Sequence, residues 1–156
     1  MALDATAVQA HKSFKYMLSI NGFPSALIQK ISGGKTKLGI TKHAGAGQNF
    51  AVQEAGGLEY DPLTVESIVP LQGGATFLYT WLAAAQDAST GDGGMPGAYF
   101  KQITLEDLNP DGTVLRTATI YNAFASELEG FDRDAVAFDK NTIDKFNINF
   151  SRIIWS

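Results

Sequence analysis

"ITLEDLNPDGTVLRTATIYNAFASELEG", residues 103–130, holds two runs rich in β-branched and apolar residues around Asn109-Pro110-Asp111-Gly112. Proline pre-sets the backbone that opens a tight turn and glycine accepts the conformation that closes it, so the stretch reads as a β-hairpin. Strand signals recur on both sides of it. Downstream, past a charged turn, "IDKFNINFSRI" (143–153) alternates Phe146, Ile148 and Phe150 with Asn147, Asn149 and Ser151. It is read as one closing strand with an apolar face and a polar, uncharged one. Upstream, "DASTGDGGMPG" (87–97) is an exposed loop. Before it, Phe77, Trp81 and Ala85, flanked by Leu78 and Leu82, recur at helical spacing and predict a helix that packs on a sheet. "LTVESIV", closed by Pro70, is another strand. "FKYMLSI" places Phe14, Tyr16, Leu18 and Ile20 on one face, and Asn21-Gly22 predicts a hairpin whose second arm, about 26–31, returns alongside.

Between these strands, residues 32–60 form a glycine-rich segment too long for an ordinary connection in a compact domain. It is either a mobile arm or an ordered limb that packs on a neighbour. The expectation is one domain over 1–156 with an extended loop at about 33–57. At 156 residues and 45% hydrophobic composition, the chain can bury one real core.

Charged residues make up 18% of the chain, below the roughly 25% usual for soluble domains, which favours burial against other subunits. The charge is also unevenly placed. Residues 1–50 carry six lysines against Asp4 alone, whereas residues 51–156 carry six basic against fifteen acidic groups. Such asymmetry suits nucleic-acid binding, and equally a protein that binds its own copies head to tail. The chain has no cysteine, which excludes disulfides and thiolate zinc sites. "MALDATAVQA" is not an export signal, and the longest apolar run, "FLYTWLAAA", is about half of the roughly 20 residues a membrane-spanning helix needs.

Catalytic and metal templates fail one after another. "GKT" at 34–36 lacks the glycine that a phosphate-binding loop places five residues earlier, where Gln29 stands. Asp87 and Asp92 do not fall at alternating calcium-ligand positions. His11 and His43 sit in no metal-ligand or triad spacing. Glu106-Asp107 and Asp132/Asp134 lie beside predicted turns, where solvated carboxylates are ordinary. Asn149-Phe150-Ser151 fits the glycosylation triplet, but without a secretion signal it is simply a polar strand face. No enzymatic activity and no cofactor are expected.

The order of elements resembles the tube proteins of contractile phage tails, a family related to the tubes of phage-tail-like injection systems and to haemolysin-coregulated protein. The resemblance rests on an N-terminal hairpin around "INGF", a long glycine-rich loop leading into "LEYDPLTVESIV", a helix containing "FLYTWL", and the run from Ile103 to Phe150 with its Asn122-Ala123-Phe124 step. Two departures bear on the subfamily. "LTVESIVP" stands where the family often has a lysine-rich strand, and Phe124-Ala125 where it often continues into tryptophan and proline.

The resemblance implies a mainly β fold with one flanking helix, a small β-barrel or sandwich whose sheets join between subunits into a continuous tube lumen. It implies hexameric rings stacked into a tube and a sheath protein outside. Baseplate and tail terminator proteins stand at the ends, and DNA passes through the lumen without specific binding. The setting it implies is a virion tail, assembled in the bacterial host cytoplasm, with no membrane anchor. A phage-tail-like bacteriocin or contractile injection system delivering protein is the alternative within this class. A monomeric ligand-binding β-barrel, its aromatic residues lining a closed pocket, and a nucleic-acid-binding module built on Lys30 to Lys42 are the alternatives outside it.

Two sets of residues follow. For contact between rings, the basic and apolar residues of the glycine-rich segment, Lys35, Lys37, Leu38, Ile40, Lys42 and Phe50, are expected to meet Glu127, Glu129, Asp132 and Asp134 of the next ring. For the lumen, which must let a polyanion slide, the uncharged Asn147, Asn149 and Ser151 are expected on a neutral to acidic wall.

Overall fold

The structure is a computed structural model and describes residues 10–21, 23, 28–47, 49–69, 77–130, 134–136 and 138–156. Strand β7, Val114–Leu128, organises it. Its first half pairs with β6, Lys101–Leu108, across the Asn109–Gly112 turn, where Asn109 N–H meets the Thr113 carbonyl at 2.7 Å and Gly112 adopts φ +89. Its other flank pairs first with β9, Arg152–Trp155, and then, from Phe124 onward, with β8, Ile143–Asn149. The change of partner falls beside Asn122, which has φ +55. Asparagine tolerates this left-handed conformation better than most side-chain-bearing residues, and it lets β7 turn from one sheet into the next.

Two sheets therefore share β7. The first runs β1 (Tyr16–Ile20), β6, the first half of β7, and β9; the second runs the last part of β7, β8, β5 (Leu63–Ile68) and β2 (Ile28–Gly33). Every pairing is antiparallel. Period-two alternation puts Leu18, Ile20, Ile103 and Ile120 of the first sheet against Val65, Phe146 and Ile148 of the second, all at most 3% exposed. Helix α1, Phe77–Ala85, adds buried Leu78 and Trp81 to this core, and the Trp81 indole N–H donates to the Tyr99 carbonyl at 2.7 Å. A single turn, α2 (Pro96–Tyr99), leads into β6. The mainly β fold with a flanking helix is thus found, in sandwich form.

Two expectations are corrected. The strand after Asn21 does not return beside the first: β2 begins at Ile28 and pairs with β5, while β1 pairs with β6. Leu18 and Ile31 enter the core from different sheets, so the local turn signal decides only where the chain reverses; Gly22 and Ala26 lie outside the described residues. The closing strand is two strands. Because β7 bends, a chain following its flank must break, and it does so at Phe150-Ser151 between β8 and β9.

Residues 32–60 are mostly an antiparallel ribbon, β3 (Thr36–His43) with β4 (Val52–Tyr60). The ribbon prolongs the β2–β5 ladder beyond a hinge, where Gly34 N–H donates to the Pro62 carbonyl (3.2 Å) and Asp61 N–H to the Lys35 carbonyl (2.9 Å). Gly33 at this hinge has φ +86, and a Cβ there would overlap the Pro62 carbonyl oxygen. The rings of Tyr60 and Phe150, 5.4 Å apart, seat the base of the ribbon on the body.

Candidate assembly surfaces

Among the described residues, three surfaces have no partner within the chain. The first is the ribbon. Leu38, Ile40, Phe50 and Leu58 are 55%, 63%, 71% and 59% exposed, and Leu38 stands directly opposite Leu58. Strands of a ribbon have no second layer to bury them, so their apolar side chains remain in solvent unless another molecule covers them. Lys37 is held inside the chain by Asp61 at 3.2 Å, and His43 lies 3.3 Å from Glu54. Lys35 and Lys42 are exposed beside them.

The second surface is the outward face of the second sheet. Its rungs read Lys30, Glu66, Lys145, Glu129 in one row and Ser32, Thr64, Asn147, Glu127 in the next. In the second row Thr64 Oγ1 donates to Asn147 Oδ1 at 2.9 Å, and Asn147 Nδ2 donates to Glu127 Oε2 at 3.0 Å. In the first row Lys145 Nζ lies 3.6 Å from Glu129 Oε1. Two lysines against three glutamates leave this face slightly acidic, each lysine standing beside a carboxylate in the ladder.

The third surface consists of strand edges. β1 and β2 end the two sheets, and between them opens a groove of about 780 Å³ lined by residues including Phe14, Tyr16, Ile28 and Ile31. On the opposite flank, β6 leaves β7 at Ala123, so among the described residues the part of β7 from Phe124 to Leu128 has a ladder partner on one side only, β8. Unpaired edges of this length are liabilities unless a second chain completes them.

The sequence-predicted residues divide among these surfaces. Lys35, Lys37, Leu38, Ile40 and Lys42 sit on β3, with Phe50 just before β4. Glu127 and Glu129 lie at the end of β7, already engaged by Asn147 and Lys145. Asp134 accepts the Val136 N–H at 3.1 Å, and Asp132 lies outside the described residues. Asn147 and Asn149 share the outward face of the second sheet, half-buried, whereas Ser151 is exposed at the break between β8 and β9. Sequence reasoning missed Leu58, Thr64, Glu66, Lys30 and Lys145 as members of these surfaces. Alternation in "LTVESIV" already placed Thr64 and Glu66 opposite the apolar face, but nothing local assigned β2 and β8 to its flanks.

Among the described residues no three histidine, aspartate or glutamate side chains come together as a metal site, and His11 Nε2 meets only the Lys15 carbonyl oxygen at 2.8 Å. The buried carboxylate, Asp107, accepts from Arg116 Nε at 2.6 Å, and the Arg116 guanidinium lies 4.6 Å from the Trp155 ring, a clasp that holds β9 to the sheet. Among the described residues no helix is long and apolar enough to cross a membrane.

Residues 12–153 match the family described as T4-like virus tail tube protein gp19. No curated protein matches the chain. Among solved structures, the tube-terminating cap of the anti-feeding prophage is similar at 19% identity and a TM-score of 0.78, over 98% of this chain and 95% of that one. The sheath-tube complex of PVC, an extracellular contractile injection system, is similar at 19% identity and 0.73, over 94% and 91%. Hcp1 of Flavobacterium johnsoniae gives 14% identity and 0.50, over 92% and 95%. At these identities the likeness is one of fold.

Proposed function

The chain belongs to the T4-like virus tail tube protein family, and from that premise we propose that it is the repeating subunit of an inner tail tube, forming hexameric rings that stack head to tail. The observation that carries the reading is the ribbon, which holds four large apolar side chains more than half exposed on a two-stranded support. Stacking rings would cover them, and a heterologous contact of this kind repeats without closing.

The finer reading is a contractile phage tail, with a sheath protein outside, baseplate and terminator proteins at the ends, and DNA passing through the lumen. A slightly acidic face on the second sheet supports this, since isolated lysines facing DNA would bind phosphate and act as brakes. Solved structures with this fold include tubes, caps and baseplates of injection systems, so delivery of protein by a bacteriocin or injection machine is the alternative cargo. The protein's role is shape, with no enzymatic chemistry.

A monomeric ligand-binding barrel is disfavoured by the groove, which lies open between two strand edges instead of closing around a ligand. Negative-stain microscopy and sedimentation of the purified chain test the reading. Rings or tubes are expected; a single particle of 16.7 kDa at all concentrations would overturn it.

A further inference from the structure

We propose that the β-bulge in the middle of the ribbon, where Gly39 of β3 faces Gly56 and Gly57 of β4, shapes the ribbon to fit a second copy in the next ring: it bends the ribbon's apolar face, and the bend sets where Ile40 and Lys42 are delivered. The inference rests on the tube-subunit reading and specifies what gives its stacking contact a fixed geometry.

The ribbon has two unlike faces. Paired residues share a face, so Thr36, Leu38, Ile40 and Lys42 of β3 stand with Tyr60, Leu58, Ala55 and Gln53 of β4 on one side. Lys37, Thr41 and His43 stand with Glu59, Glu54 and Val52 on the other. The first face holds Leu38, Ile40 and Leu58, all more than half exposed, and its one charged group is Lys42. Both carboxylates of the two strands, Glu54 and Glu59, lie on the second face, where His43 is 3.3 Å from Glu54 and Lys37 is 3.2 Å from Asp61. Apolar area to be covered is therefore on the first face, and its cation suits a partner copy whose net charge is -4.

Register explains why the middle of the ribbon is glycine. Leu38 pairs with Leu58 and Ile40 with Ala55, so one residue of β3 is opposed by two of β4. A Cβ on Gly39 would come within 3.2 Å of the Gly57 carbonyl oxygen, and one on Gly56 within 3.1 Å of the Gly39 carbonyl, whereas one on Gly57 would meet nothing within 4 Å. The strands close on each other at a point that admits no side chain at Gly39 or Gly56, as a bulge that bends and overtwists its ribbon requires. The ribbon's own pairing has no need of it. Without one of the two β4 glycines, every pair from Thr36 with Tyr60 to His43 with Val52 would fall in a single unbroken register, with the same residues on the same faces. Glycines in a strand also weaken it. The bulge thus leaves the faces unchanged and supplies direction.

Direction matters because the inner half of the ribbon is tied down. The Tyr60 ring lies 5.4 Å from that of Phe150, and Asp61 N–H donates to the Lys35 carbonyl at 2.9 Å. Beyond the bulge, Ile40 to His43 reaches roughly 13 Å at about 3.4 Å per residue. A change of tilt at the bulge moves the far end by several ångströms and takes Ile40 away from the surface it would cover.

Deletion of Gly57 tests this, because it straightens the ladder without altering a side chain. NMR of the unassembled variant should still show cross-strand contacts between Leu38 and Leu58 and between Ile40 and Ala55. Sedimentation and negative-stain length measurement should show the concentration needed for tube growth raised about tenfold or more, the loss expected if Ile40 alone goes uncovered. Gly39→Ala and Gly56→Ala, which force the strands apart at the bulge, should act likewise. Gly57→Ala, with open space around it, should stay within about twofold of the unsubstituted chain. Ordinary tubes from the deletion variant, or equal effects from all three alanines, overturn the role of the bulge and leave the tube reading intact. Loss of the cross-strand contacts in the deletion variant overturns it too, since the bulge would then serve the ribbon's own pairing. Absence of any ring or tube from the unsubstituted chain overturns both.

Discussion

Replacing Leu38, Ile40 and Phe50 together with serine should stop the tube from lengthening while leaving the subunit folded. Full burial of such a side chain contributes about 1.5 to 3 kcal/mol. These three are 55%, 63% and 71% exposed in the isolated chain, so the part that stacking can still cover is worth about 1 to 2 kcal/mol each. The sum, roughly 3 to 6 kcal/mol per subunit contact, corresponds to a weakening of about a hundredfold to ten-thousandfold, since each 1.4 kcal/mol is about tenfold. Ion pairs cannot compensate on this scale, because exposed pairs contribute about 0 to 1 kcal/mol each, and Lys37 is already held by Asp61. The assay is sedimentation with negative-stain length measurement across a concentration series. Thermal unfolding is the control: the three side chains are mostly exposed in the isolated chain, so the midpoint should move by no more than about 2 to 4 °C, the shift expected for 1 kcal/mol in a chain of this size. Rings or monomers that melt normally but do not elongate are the expected outcome. Tubes of ordinary length from the serine variant would show that the ribbon is not the stacking contact. Reversing Lys35 and Lys42 to glutamate should instead slow assembly and reduce its sensitivity to salt.

Asn122→Ala, at φ +55, should destabilise the chain by roughly 1 to 2 kcal/mol in urea unfolding, and Asn122→Gly should not; equal effects would mean that the bend is held by contacts and not by backbone preference. Phe146→Ala removes a ring that is 1% exposed between the sheets and should lower stability by about 3 to 5 kcal/mol, so a loss below 1 kcal/mol would place the core elsewhere. The Asp111 carboxylate is held below the usual range by the Thr113 hydroxyl (2.7 Å) and then by the Thr113 N–H (3.0 Å). Its folded value lies below its unfolded one, so its stabilising effect is complete at neutral pH and is lost as pH falls through the folded value. Side-chain NMR should find its midpoint below that of an unfolded peptide, and Thr113→Val should raise it; an unshifted midpoint would refute the turn geometry.

Local chemistry in the chain was enough to place the hairpin at Asn109–Gly112, the helix at Phe77–Ala85 and the strand at Leu63–Ile68. Each is dictated by a turn's backbone demands or by the spacing of apolar residues, and both act within a few residues. The same alternation separated Phe146 and Ile148 from Asn147 and Asn149, and the exposed apolar residues of the glycine-rich segment were visible before their strands were. Partnership was not legible. Whether β2 lies beside β1 or β5 depends on which sheet's apolar face Ile31 completes, a contact made across the whole core. The division of the closing strand at Phe150-Ser151 follows from a bend at Asn122, a residue on another strand. The row from Lys30 to Glu129 joins four strands drawn from residues 28 to 129 and beyond, so no window of sequence contains it. Sequence periodicity determines which way a side chain faces, because that is a property of one strand; only the tertiary structure decides what it faces, because strand pairing is settled by burial summed over the entire fold.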